Sequence, residues 1–101
     1  MKQKSEFKFH AEDFWNLLNS QHYKCALTDR ELTPQNTEVE LRDPNKGEFR
    51  AELSNHYLVD RQIRYLARHL SESQIIELAI EIVRHRGKEF GYSLKKWKCK
   101  I

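Results

Sequence analysis

Glu40, Asn55, His56 and Asp60 are the residues of this 101-residue chain whose types could support metal-dependent chemistry. Carboxylates are hard oxygen ligands suited to Mg²⁺ or Mn²⁺, and an imidazole can take a proton from water near neutral pH. Glu40, His56 and Asp60 could together hold one such ion, although a plain solvated surface has the same composition and is the commoner arrangement. The remaining histidines, His10, His22, His69 and His85, have no ligand-like spacing. A second group is cationic. Arg61, Arg64 and Arg68 recur at steps of three and four, which puts three guanidiniums on one side of a helix, to hold phosphates or to pair with nearby acids. A third group closes the sequence: in "RHRGKEFGYSLKKWKCK" the cations, with Lys95, Lys96 and Lys98 among them, alternate with Phe90, Tyr92 and Trp97. Such a segment neutralises phosphates while its rings stack on bases or pack on a partner.

The charge distribution sharpens this contrast. The formal net charge is +3, yet Arg84 to Ile101 holds seven Lys or Arg residues and one acid, a balance of +6 that leaves residues 1–83 at −3. A polyanion is therefore drawn to the end of the chain and repelled by the rest. Cys25 and Cys99 lie far apart and form no CxxC pair, which excludes a four-cysteine zinc site and a dense disulfide framework. Both read as reduced thiols, with Cys25 as a small core residue. No apolar run approaches the roughly 18 residues of a membrane span, and "MKQKSEFKF" lacks the apolar stretch of a signal peptide. The expectation is a soluble, cytoplasmic protein with no membrane partner.

These groups need elements to position them. Phe14, Leu17 and Leu18 follow acids at helical spacing, which predicts a helix over about 11–20. In "TEVELRD", Val39 and Leu41 alternate with Glu38, Glu40 and Arg42, which predicts a strand with the apolar residues inward. "PNKG" is turn chemistry, and "EFRAELSNHYLV" predicts the returning stretch of a hairpin. Val59, Ile63, Leu66 and Leu70 then recur at helical steps, predicting a helix over about 57–69. Ser71 with Gln74 forms a capping box for a last helix from Glu72 to Arg86, whose apolar face holds Ile75, Leu78, Ala79, Ile82 and Val83 and which Gly87 stops. The class is α+β: an N-terminal helix, a two-stranded hairpin and two C-terminal helices in one domain over residues 1–87, followed by a basic aromatic tail over 88–101. Only 39% of the residues are hydrophobic, against about 45–50% in an average domain, so the core is thin.

The phrases "YKCALTDRELTPQN", "NTEVELRDP", "GEFRAELSN" and "IRYLARHLSESQIIELAIEIVRHRG" resemble, over roughly residues 9–87, the small HNH endonucleases of bacteria and phages. The resemblance implies a ββα-metal core of the His-Me finger type. In that family an Asp on the first strand and an Asn or His on the helix hold a divalent ion, and a His beside the Asp is the general base. Carried over residue by residue, the Asp falls on Glu40, the catalytic His on Leu41, the central Asn on Asn55 and the helix ligand on Arg64; Asp29 stands in place of a loop glycine. Leucine cannot accept a proton, and a guanidinium has no lone pair for a cation and repels it. The resemblance therefore implies a degenerate nuclease, with no catalytic residue and no cofactor. In this reading Arg64 takes the ion's place and pairs with Glu40. Its partner would be DNA or RNA, or a nucleic-acid-processing protein complex that it serves as a phage or mobile-element accessory or inhibitor. The alternative is an active, divergent HNH endonuclease that uses Mg²⁺ or Mn²⁺ through Glu40.

Overall fold

The computed structural model describes residues 9–45 and 52–95. Helix α1, Ala11–Ser20, has the expected bounds, with Glu12 and Asp13 in its first turn. It buries Leu18, with Phe14 and Leu17 packed partly against the core. The chain reverses through His22 and Tyr23, both left-handed at φ 56° and 61°. The Leu32 N–H then donates to the Tyr23 carbonyl and the Cys25 N–H to the Arg30 carbonyl. Asp29 takes the left-handed conformation at φ 65°, a geometry that Asp tolerates better than most residues. The resulting knuckle delivers Cys25 and Leu32 to the core.

Strand β1, Thr37–Leu41, pairs antiparallel with β2, His56–Asp60, with Glu40 opposite Tyr57 and Leu41 opposite His56. This corrects the sequence reading at one junction. Residues 57–59, expected both to end the returning stretch and to open a helix, are strand together with Asp60; a 3₁₀ turn, Arg61–Ile63, follows, and helix α2 spans only Arg64–His69. Tyr57, Leu58 and Val59 are fully buried, and this apolar, β-favouring run gains more by lying in the sheet than by starting a helix. Asp60 ends the strand, its carboxylate accepting the Gln62 N–H at 2.8 Å. The outer edge of β2 is covered without a third strand. The Gln21 side-chain amide donates to the Leu58 carbonyl and accepts the Leu58 N–H, both at 3.0 Å; the expected turn and start of the returning stretch, residues 46–51, lie outside the described residues.

At the centre of β1 the alternation is inverted, while Glu38 and Leu41 are both half-buried. Val39 is 36% exposed and Glu40 is 7% exposed: the strand turns its carboxylates towards α2 and its valine outward. A buried carboxylate is tolerated only with hydrogen-bonding partners, and α2 supplies them.

Helix α3, Glu72–Arg86, starts on the capping box. The Gln74 N–H donates to Ser71 Oγ at 3.2 Å, and the Ser71 N–H donates to Gln74 Oε1 at 2.9 Å. Gly87 does not act as a left-handed stop. It opens a 3₁₀ turn, Gly87–Phe90, and a Cβ there would lie 2.8 Å from Val83 Cγ1 and 3.1 Å from the Tyr92 carbonyl oxygen. The Val83 side chain and the returning chain at Tyr92 together leave little room for a side chain here, and the left-handed residue is Gly91, at φ 87°. Among the described residues the protein is thus α+β, with three α-helices and one two-stranded antiparallel sheet. No described helix is long and apolar enough to cross a membrane.

Candidate functional site

Four charged side chains meet between β1 and α2. Arg64 Nη1 lies 3.1 Å from Glu38 Oε2, Arg68 Nε lies 3.0 Å from Glu40 Oε2, and Arg68 Nη2 lies 3.9 Å from Glu38 Oε1. The spacing explains the match. Four helical residues rise about 6 Å and two strand residues about 6.6 Å, so arginines at i and i+4 stand over glutamates at i and i+2. The expected Glu40–Arg64 pair is corrected: Arg68 faces Glu40 and Arg64 faces Glu38. Because β2 takes residues 56–60, α2 begins later than expected, and its first turn lies over Glu38.

Burial raises the Glu40 carboxyl above its usual range, and the hydrogen bond and charge of Arg68 oppose that rise. With a folded value above the unfolded one, the Glu40 contribution to stability is complete below the unfolded value and is lost as pH rises through the folded value. At neutral pH the ionised group depends on Arg68. Arg68→Ala is therefore expected to cost about 1–2 kcal/mol at neutral pH and less at mildly acidic pH, where Glu40 can protonate. Arg64→Ala, which faces the more exposed Glu38, should cost less. Denaturant melts at two pH values measure both, and equal, pH-independent losses would show that the two pairs are interchangeable.

Beside this pair lies an open depression of about 400 Å³ lined by Glu40, Leu41, Pro44, Asn45, Ala67 and Arg68. It brings together the positions where the resemblance places the strand ligand and the base. Another wall is Ala67, which the sequence had not singled out, and Arg68, expected as part of the basic stripe and not beside Glu40. The oxygen donors among the lining side chains are the Asn45 amide and one carboxylate, Glu40, already bonded to a guanidinium, a poor set for a divalent ion beside that cation. Asn55, also carried over, closes the hairpin from below: its Oδ1 accepts the Asp43 N–H at 3.0 Å, its Nδ2 donates to the Asp43 carbonyl at 3.1 Å, and its carbonyl accepts the Arg42 N–H at 2.7 Å.

No family model matches the chain, and no curated protein or solved structure matches it.

The set Glu40, His56 and Asp60 does not assemble. His56 stands opposite Leu41 and Asp60 opposite Thr37, so both point to the sheet face away from Glu40. Each has another task. His56 Nδ1 is 2.7 Å from the Glu52 carbonyl, and its ring stacks on Phe9 at 5.0 Å. Asp60 accepts from Asn36 Nδ2 at 3.2 Å and lies 3.7 Å from Arg30 Nη1. Among the described residues no group of three His, Cys, Asp or Glu side chains is placed to hold a metal ion.

Cys25 is buried, and its sulfur accepts the N–H groups of Asp60 at 3.3 Å and Thr28 at 3.4 Å. Burial raises its pKa, but the hydrogen bonds from Thr28, Asp60 and Leu27 outweigh it and hold the thiol below its ordinary value. The thiol ties the knuckle to β2. Of the arginine stripe, Arg64 and Arg68 are neutralised by β1, while Arg61 is exposed on the 3₁₀ turn. Lys95 is exposed; Lys96, Trp97 and Lys98 lie outside the described residues.

Proposed function

We propose that this chain is a catalytically degenerate HNH-like protein that binds nucleic acid, DNA or RNA, through its basic C-terminal segment. One observation carries the reading. A guanidinium, Arg68, sits 3.0 Å from the carboxylate of Glu40, the residue onto which the resemblance carries the strand ligand, and Leu41 stands at the position it gives to the base. The ion pairs hold strand against helix by protein groups alone, which leaves the hairpin and α2 as a scaffold rather than a cutting centre. Affinity then comes from the end of the chain, where lysines release counterions from the phosphate backbone and interleaved rings stack on bases. The stripe of Arg61, Arg64 and Arg68 contributes mainly through Arg61, because its other two charges are already matched by Glu38 and Glu40.

The test is fluorescence anisotropy of a labelled oligonucleotide, single- or double-stranded, in excess chelator. Saturable binding that weakens steeply with salt is the expected result. Binding that requires Mg²⁺ or Mn²⁺, or no binding at low salt, would overturn the proposal.

A further inference from the structure

We infer that the exposed face of α3 and the turn after it form a self-association surface on which a second copy of this chain packs antiparallel. This inference stands apart from the proposed function. Of the apolar residues on α3 only Ile75 is buried; Ile82 is 57% exposed, and Leu78 one turn before it is also exposed. The surface continues through Phe90, Tyr92 and Leu94, all exposed, around a groove of about 380 Å³ that Ile82, Val83 and Gly87 complete. Contiguous exposed apolar surface, when large and rimmed by polar residues, marks interaction sites.

The charge pattern of the helix selects the occupant. Glu77 and Glu81 lie in its first ten residues and Arg84 and His85 near its end, with Lys88 just beyond, whereas Glu72 and Arg86 are already paired with Arg42 and Glu89 of the same chain. Two copies laid antiparallel place the acidic half of each along the basic half of the other and oppose their helix dipoles. A parallel pair would stack like on like. The antiparallel arrangement is closed and isologous, so one patch of modest size serves both copies.

Sedimentation equilibrium of the full chain over micromolar to near-millimolar concentrations tests this. The expected mass is twice that of one chain at the upper end. Ile82→Glu should weaken association about tenfold or more, with an unchanged circular dichroism spectrum, because a side chain already exposed in the monomer tolerates the charge. Glu77→Lys with Glu81→Lys should also weaken it, and adding Arg84→Glu with Lys88→Glu should restore it. Restoration identifies the antiparallel pairing. A monomer at every concentration, or a dimer indifferent to Ile82→Glu, would overturn the inference; in a monomer, the segment 96–101 of the same chain becomes the candidate cover.

Discussion

Deleting residues 95–101 should weaken nucleic-acid binding by about a hundredfold near physiological salt and reduce the slope of log affinity against log salt by about 3 to 4 on duplex DNA. The deletion removes Lys95, Lys96, Lys98 and Lys100 and takes the formal charge from +3 to −1. Each phosphate neutralised contributes about 0.9 to that slope, so the change in slope counts the phosphates that the segment neutralises. The cut belongs at 95 rather than 88 for a structural reason. The Tyr92 N–H donates to the Gly87 carbonyl at 2.8 Å, and Tyr92 and Leu94 line the groove along the end of α3. A longer deletion would bare Val83 and confuse impaired folding with weaker phosphate binding. If the shortened chain binds as tightly as the whole, Arg61 and the basic end of α3 carry the affinity instead.

Asn55→Ala should lower stability by about 2–4 kcal/mol, because both ends of its side-chain amide are committed to the backbone of Asp43. Asn55 is 3% exposed, so truncation leaves an N–H and a carbonyl with little water to replace the missing partners. Against the roughly 5–15 kcal/mol of an ordinary domain this is a large fraction. Ser54→Ala, an exposed neighbour on the same turn, should change little. Chemical denaturation of the two variants gives the comparison. A loss at Asn55 no larger than that at Ser54 would mean that the hairpin closes without this clamp.

α1 and α3 were legible because their signals are local: acids in a first turn, a capping box, a regular apolar period. The boundary between β2 and α2 was not. Val59, Ile63, Leu66 and Leu70 fit a helix by spacing, and only burial of Tyr57, Leu58 and Val59 on both faces assigns the first of them to a strand. The period of β1 was equally plain, but period alone cannot say which face is inward. Hydrophobicity pointed to Val39; the arginines of α2 reversed it by partnering Glu38 and Glu40. A signal for this did exist, since arginines at i, i+4 match glutamates at i, i+2 once helix and strand lie side by side. The shift of the pairing from Arg64 to Arg68 follows from the later start of α2. The exposed face of α3 was legible as apolar, and no local pattern shows what covers such a face.

The most direct test of the degenerate-site account is to incubate the full chain with supercoiled plasmid in Mn²⁺ at low salt and resolve the products on a gel, before and after stripping the protein. The account predicts a retarded, salt-sensitive complex from which intact supercoiled plasmid is recovered. Nicked or linear plasmid that appears with the wild-type chain and disappears with Glu40→Ala would contradict it and make the chain a working nuclease.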